Sequence, residues 1–464
     1  MKPILLALPS FALVSGCMDH SSTADQAAAL APACQVDGTR TDPSLVVTDA
    51  GVLSRFSFER TVKQVLASVP ASPSETPTQL YQQWMSTFGP TDCTNPKVNP
   101  EHYDMKCPRT PEFELASVDP FDPNSGTEFV PVALTNRFDL APTSGANCGE
   151  YRIVYAMKSS KILGRGFYIF EGAMPNPNPA LGLTGCLPIA EFWQSLSVVP
   201  STQSLADKLE QFYYLGTAIP GVPAVVDARH YGLYTNGAYT AGQMRSNMFI
   251  NGVQWHLREF KPDLVCDGTT SAPSCTLMID HVSTKTNPAR ELFDGTASLA
   301  PQFVQDFPSN VKALAAGDLN AIGMTISNDL YNTYESVSEL NTDVLYDQHA
   351  DTTIESAIQA QIPPGSTLTV QDILRRASTQ TCGGCHQLST VGNEAQLGGG
   401  LVWPQSLGFV QIDEQSHLSP ALTDVFLPHR LEVLDDFIAS HCGSTGADED
   451  DGLTVGGSQV GAPN

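Results

Sequence analysis

The spacing of apolar residues changes twice along the chain. From 57 to 88, apolar residues recur at helical spacing in "SFERTVKQVLASV" and "TQLYQQWMSTF", which predicts two helices. From about 128 to 290 the spacing falls to two, in segments such as "EYRIVYAMK", "RGFYIFEGAM" and "TLMIDHVS" that are rich in β-branched and aromatic residues. Helical spacing returns between 303 and 360. The pattern therefore predicts an α+β fold with a β-rich centre.

A further helical region follows the break at "QIPPGS", residues 361–366. Thr369 can cap a helix there, because Asp372 stands three residues later and an apolar stripe follows. Another apolar stripe, in "LPHRLEVLDDFIASHC", predicts a second helix that ends near Cys442. The residues after Cys442 are acidic and rich in glycine, which is typical of a disordered tail.

The N-terminus reads as an export signal. Lys2 precedes an apolar run, residues 4–14, that is too short to cross a bilayer as a helix. The run ends in "VSGC", which resembles the lipobox of bacterial lipoproteins, in which the cysteine is acylated and becomes the first residue. The resemblance implies that Cys17 carries lipid and that the protein is anchored to a membrane without spanning it. Met18, where an Asp would favour retention at the inner membrane, favours an outer-membrane lipoprotein that faces the periplasm or the cell surface.

The composition restricts the possible partners. The chain has 49 acidic and 24 basic side chains, a formal net charge of −25. Such a charge argues against nucleic acid and against anionic lipid as partners, so contact with the membrane is expected through the lipid anchor alone. It is compatible with a basic redox partner protein.

Eleven cysteines fit an oxidising compartment. If Cys17 carries lipid and Cys382 and Cys385 act together, eight remain, an even number that suits four disulfides. Sequence alone does not select the connectivity. Pairing of neighbours gives Cys93–Cys107, Cys148–Cys186 and Cys266–Cys275, and leaves Cys34 for Cys442.

The segment "TCGGCHQ", residues 381–387, carries the most specific chemical pattern. A zinc site needs four ligands, and the sequence has no second C-x-x-C. A redox dithiol is expected at a helix start after a buried strand, whereas this motif comes at the end of a helical pattern that would carry both thiols. Thiols two residues apart match the two vinyl groups of haem, and the adjacent histidine can bind the iron. A structural Cys382–Cys385 disulfide and a metal site without haem remain alternatives.

The segment from about 365 to 442 resembles the small c-type cytochrome domain, in which two helices cross and the haem fills the core between them. The resemblance rests on Cys382, Cys385 and His386. It implies one covalent haem c, held by thioether links to the two cysteines, with His386 as the proximal iron ligand.

The sixth iron ligand decides between two functions. All methionines lie at or before Met324, so the methionine of many single-haem cytochromes is missing. His429 is the predicted distal metal ligand, with His417 and His441 as alternatives. Two imidazoles suit electron transfer, whereas an open sixth position suits an enzyme of peroxidase or oxygenase type whose upstream domain binds substrate. A non-haem, disulfide-rich surface lipoprotein that binds a ligand or partner is the third hypothesis, so enzymatic activity is left undecided.

The upstream region offers weaker candidates. His256 and Arg258 alternate onto one face of a predicted strand, and His281 lies in another, but polar residues on a sheet face are usually solvated. The sequence contains no G-x-S-x-G, no H-E-x-x-H and no phosphate-binding glycine loop.

These observations divide the chain into five predicted segments. They are a signal peptide at 1–16, a lipidated cysteine and flexible tether at 17–52, a large α+β domain of unknown function at 53–360, a small all-α cytochrome c-like domain at 361–442, and a disordered acidic tail at 443–464.

Overall fold

A computed structural model of the protein describes most of the chain between residues 42 and 441, and these described residues belong to one compact unit. Cys17, most of the predicted tether, the Cys93–Cys107 and Cys34–Cys442 pairs and the predicted tail lie outside the described residues. The described ranges are 42–69, 73, 75–91, 108–252, 255–266, 275–284, 286–331, 334–335, 344–390 and 395–441.

A large, mainly antiparallel sheet forms the centre of the described residues. Its strands are β1 Val46–Val47, β2 Thr127–Arg137, β3 Asn147–Ser159, β4 Gly164–Pro175, β5 Tyr234–Thr235, β6 Ala238–Tyr239, β7 Gln243–Ile250, β8 His256–Cys266 and β9 Cys275–Val282. They run in the order β1-β2-β3-β4-β7-β8, and β8 also pairs with β9 and with the short β5–β6 hairpin. The sheet agrees with the predicted β-rich centre, and the fold class is α+β.

The helices precede, interrupt and follow the sheet. Several begin at side-chain caps, such as Ser57 and the Thr76 capping box, which satisfy free N–H groups of the first turn. The helices are α1 Ala50–Leu53, α2 Phe58–Ala67, α3 Pro77–Ser86, α4 Thr110–Phe113, α5 Leu187–Ser195, α6 Thr202–Glu210, α7 Ala300–Asp306, α8 Val311–Leu314, α9 Asn328–Tyr331, α10 Thr352–Gln359, α11 Val370–Thr379, α12 Cys382–Leu388 and α13 Leu427–His441.

Order begins before the predicted end of the tether at residue 52. Leu45, Val46 and Val47 are buried, and β1 pairs with β2 at the edge of the sheet. The side chain of Asp49 then caps α1 by accepting from the N–H of Gly51 and Val52. Residues 45–52 are therefore structured, although they lie within the predicted tether of 17–52.

The first face of the sheet is covered by helices. Phe58 of α2 and Trp84 of α3 pack against Tyr168 and Phe170 of β4 within the largest apolar cluster. Burial of these aromatic side chains supplies much of the stabilisation, at about 25 cal/mol per Å² of apolar surface. The amphipathic pattern of residues 57–88 therefore predicted both helices correctly.

The expected solvation of the polar sheet residues is wrong. His256, Arg258 and His281 are all buried. Arg258 donates from Nη1 to the carbonyl oxygen of Thr87, 3.0 Å away, and its guanidinium lies 4.3 Å from the ring centroid of Phe88. The segment after α3 covers this face, so the polar side chains find partners inside the protein.

The second face of the sheet is covered by the C-terminal part of the chain. Val132, Ala156 and Phe167 form an apolar cluster with Val410, and Leu427 packs against it. Side chains of residues 395–427 thus complete a core that the sheet strands begin.

Packing does not divide at the predicted boundary at residue 361. Ile354 of α10 and Leu374 of α11 belong to one apolar cluster, although they lie on opposite sides of it. On α13, Leu434 and Ile438 belong instead to the cluster that covers the first sheet face. The two C-terminal helices therefore contribute to different cores, whereas the resemblance implied that they enclose a cofactor together.

Two of the predicted disulfides are present. Cys148 of β3 bonds to Cys186 ahead of α5, and Cys266 bonds to Cys275 across the β8–β9 turn. Their sequence separations are 38 and 9 residues, so the first bond restricts the unfolded chain more strongly.

Removing the two disulfides separately tests this difference. From loop entropy we expect Cys148→Ala/Cys186→Ala to lower the free energy of unfolding by about 4 kcal/mol, and Cys266→Ala/Cys275→Ala by about 2.5 kcal/mol. Urea unfolding of the two variants and the wild type measures both values. Equal losses, or a larger loss for the second pair, would contradict the loop-entropy account.

Candidate cofactor site

The C-x-x-C-H motif lies on its own short helix, α12. The preceding helix α11 ends at Thr379, and Thr381 then caps α12 by accepting from the N–H of Gly384 at 2.9 Å. The Thr381 hydroxyl also donates to the carbonyl oxygen of Ser378 at 2.8 Å, which closes the turn between the helices. The prediction that one helix continues through the thiols is therefore wrong, because Thr381 caps the start of a separate helix.

Gly384 permits the close approach of α12 to the end of α11. A Cβ atom at this position would lie 2.0 Å from the carbonyl oxygen of Ser378, which is backbone and cannot move aside like a flexible side chain. The second glycine of the motif is thus a steric requirement of this turn.

Both motif cysteines are buried and carry thiol groups. Cys382 is 8% exposed and Cys385 is 1% exposed. Burial raises the pKa of both thiols above the usual range, so neither forms the reactive thiolate readily in the folded protein. The alternative of a Cys382–Cys385 disulfide is not what the structure contains.

His386 is held as a neutral imidazole with one nitrogen available. Its Nδ1 lies 2.7 Å from the carbonyl oxygen of Phe409, so Nδ1 carries the proton and donates. Burial lowers the pKa of His386 to about 4, which keeps the ring neutral at pH 7. Among the described residues Nε2 has no hydrogen-bond partner, and this is the protonation state that a metal-ligating histidine needs.

Phe409 has the backbone conformation that brings its carbonyl group to His386. Its φ is 74°, in the left-handed region that bulky residues rarely adopt. The ring stacks on Trp255 with 5.0 Å between centroids. Arg165 of β4 donates to the carbonyl oxygen of Gly408 at 2.6 Å and pairs with Glu414. These contacts compensate the backbone strain.

A cavity lies between the second sheet face and the segments that carry His386 and Val410. Its volume is about 820 Å³, a figure that includes space open to solvent. Nine of the eighteen lining residues are apolar and nine are polar or charged, including four arginines. The lining residues are Val46, Thr135, Arg137, Arg152, Val154, Phe167, Ile169, Arg245, Ser246, Asn247, Leu257, His386, Val410, Gln411, Ile412, Leu422, Leu427 and Arg430.

Buried ion pairs cross the sheet beside this cavity. Arg137 holds Asp139 with three donor contacts of 2.8–3.1 Å, and Arg137 and Arg430 lower the pKa of that buried carboxyl to about 2. Arg152 pairs with Glu171 at 3.1 Å, and Arg245 approaches the same carboxylate at 3.5 Å. Alternating charges on neighbouring strands thus offset the cost of burying each guanidinium.

The remaining predicted ligands lie elsewhere. His429 is 38% exposed in its side chain, with Nδ1 3.9 Å from Glu432, and it does not line the cavity. His417 is exposed and bonded to Asp413, and His441 bonds to the carbonyl oxygen of Phe437. Arg430, the residue after His429, lines the cavity instead.

The described residues offer few other sites. They contain no cluster of three or more His, Cys, Asp or Glu side chains that could hold a metal ion. No helix within the described ranges is both long and apolar enough to cross a membrane.

The residues around the cavity fit a haem in part. His386 offers a neutral Nε2 donor, and the arginines offer partners for acidic substituents. Neither sulfur atom lines the cavity itself, although Arg245 and Arg430, which do, are close enough to influence the pKa values of Cys382 and Cys385 respectively.

Comparison of the chain with family models, with curated proteins and with solved structures finds no match. The resemblance to c-type cytochromes therefore rests on the motif residues Cys382, Cys385 and His386.

Alanine substitutions at two glycines test the α11–α12 turn. We expect Gly384→Ala to lower the free energy of unfolding by about 2–3 kcal/mol or more, because its Cβ would collide with backbone. Gly317 is exposed, and a methyl group added there would meet no atom within 4 Å. It therefore serves as the matched control, with an expected change within about 0.5 kcal/mol. Equal effects in urea unfolding would show that the turn is not tightly packed.

Proposed function

We propose that the protein is an envelope-anchored c-type cytochrome that carries one haem c and acts in electron transfer. Cys382 and Cys385 would form the thioether links, and His386 would bind the iron from the proximal side. The observation that carries the proposal is the position of His386: it directly follows two buried thiols, lines a cavity, and has Nδ1 hydrogen-bonded to the carbonyl oxygen of Phe409. A bound haem would supply one-electron redox chemistry.

The protein's own residues would hold and insulate this group. Apolar side chains such as Val154, Ile169 and Leu257 would exclude water, which strengthens electrostatic interactions inside the cavity. The cytochrome-like part would consist of α11, α12 and α13, with the sheet supplying the opposite wall. This arrangement differs from a haem enclosed by the two outer helices alone.

Attachment would have to precede folding. In the folded protein both thiols are buried, and burial raises their pKa values, so an attaching enzyme would find neither an accessible sulfur nor a thiolate. We infer that the haem is added to the exported, unfolded chain and that the core closes around it afterwards.

Location and partner follow from the sequence. Lipid on Cys17 would anchor the protein at the outer membrane, facing the periplasm or the cell surface, and the two disulfides suit such an oxidising compartment. The net charge of −25 would attract a basic redox partner.

A haem enzyme of peroxidase or oxygenase type is the second candidate. Among the residues that line the cavity, His386 is the only histidine, and no methionine or cysteine is present. The iron would then have no strong distal ligand from the described lining and would be open to a small ligand. This single observation favours the enzyme over a bis-histidine electron carrier.

Haem attachment is tested on protein exported in a strain able to attach c-type haem. We expect the mass of one haem in the mature chain and colour that survives acid-acetone extraction. Cys382→Ser/Cys385→Ser should lose both signals, whereas the matched pair Cys266→Ser/Cys275→Ser should keep them. A colourless wild type would leave only the non-haem lipoprotein hypothesis.

Histidine variants test the sixth ligand. Because His429 and His417 lie outside the cavity lining, we expect His429→Ala and His417→Ala to leave the absorption spectrum unchanged. His386→Ala should change it by removing the proximal ligand. A change from low spin to high spin in His429→Ala alone would establish His429 as the distal ligand.

The wild-type spectrum separates the two candidate functions. Sharp α and β bands in the reduced protein support electron transfer, whereas a high-spin spectrum that shifts on adding cyanide supports the enzyme.

A further inference from the structure

Arg430 is a buried cation without an adequate counter-ion. Its side chain is 7% exposed, and its nearest carboxylate oxygen among the described residues, on Asp139, is 3.7 Å away. Asp139 is already held by three donor contacts from Arg137. Arg430 makes no hydrogen bond to any described residue, and its Nε is buried without a partner.

Arg245 also lines the cavity and lies between two buried carboxylates, but it does not use all of its donors. Its Nη2 donates to Glu259 at 3.2 Å, but Nε and Nη1 are buried without hydrogen bonds among the described residues. Glu171, 3.5 Å from Nη1, already accepts from Gln243 and pairs with Arg152.

The contrast with a third buried arginine shows that this deficit is local. Arg376 is 1% exposed and donates to the carbonyl oxygens of Leu397, Leu314, Ala316 and Gly398 at 2.7–3.1 Å. Arg376 therefore shows that backbone carbonyl groups of this fold can satisfy a buried guanidinium, which they do not do for Arg430.

We propose that Arg430 forms a carboxylate-binding site in the wall of the cavity, which Arg245 also lines. A carboxylate is the ligand that a guanidinium recognises best, since its two oxygens match two parallel N–H donors. The apolar side chains of the lining would strengthen an ion pair between a guanidinium and a bound carboxylate, because they exclude water. The carboxylate has two possible sources: a propionate of a haem held in the cavity, which rests on the proposed function, or a free organic acid, which does not.

The first arm of the test uses full-length Cys382→Ala/Cys385→Ala protein, which cannot carry covalent haem. Thermal unfolding is measured in sodium succinate and in sodium chloride at equal ionic strength. If the site binds free carboxylates, succinate raises the Tm relative to chloride, and Arg430→Met abolishes that shift. In chloride, Arg430→Met should itself raise the Tm, because it removes a poorly compensated buried charge.

The second arm uses the haem-loaded wild type. If a propionate is the ligand, Arg430→Met should lower the Tm and shift the haem reduction potential downward, because a neighbouring positive charge is lost. Arg430→Lys should retain most of the potential. Arg376→Met is the matched control and should lower the Tm in both arms without any dependence on succinate.

The outcomes separate the two proposals. If the exported wild type is colourless, haem attachment fails while the succinate arm still tests the carboxylate site. If Arg430→Met lowers the Tm as Arg376→Met does, and neither succinate nor haem loading alters its effect, the proposed site is refuted.

Discussion

Burial of charge on the second face of the sheet is the constraint on which the rest of the structure depends. A guanidinium removed from water must find carboxylates or carbonyl oxygens, or its burial is strongly unfavourable. Arg137 pairs with Asp139, two residues along the chain, and Arg152 and Arg245 pair with Glu171 and Glu259 on neighbouring strands. The two cross-strand pairs favour the observed register of β3 with β4 and of β7 with β8, because each guanidinium lies beside a carboxylate in that register.

The sequence predicted the elements whose apolar periodicity is undisturbed. Helices α2 and α3 and strands β3 and β4 agree with the spacing of their apolar residues. Both observed disulfides join cysteines that follow one another in the order of cysteines along the sequence. Strand β7 was missed, because Arg245 and Asn247 occupy positions where a buried strand would ordinarily carry apolar residues. Those side chains are buried beside charged side chains of the neighbouring strands. Which charges meet depends on the register of the strands, and the spacing of residues within one strand does not reveal that register.

The candidate site shows the same division. The motif itself identifies Cys382, Cys385 and His386, but nothing near it indicates the opposite wall, which comes from strands more than a hundred residues earlier. The short helix α12 was also hidden, because Thr381 continues the spacing of the apolar face of α11 in the sequence, whereas in the structure it caps the start of α12. The local sequence motif thus identified the candidate cofactor-binding residues, whereas the residues that surround them depend on tertiary packing.

The contacts of Arg165 with Gly408 and Glu414 affect the orientation of His386. It ties the loop that bears Phe409 to β4, so the carbonyl group facing His386 is fixed to the sheet rather than to the helix that carries the imidazole. The plane of the His386 imidazole is therefore held by two elements, namely the helix α12 that carries it and the loop that is tied to β4. A rotation of the imidazole would have to displace the loop that Arg165 holds against β4, so these contacts restrain the orientation of the ring.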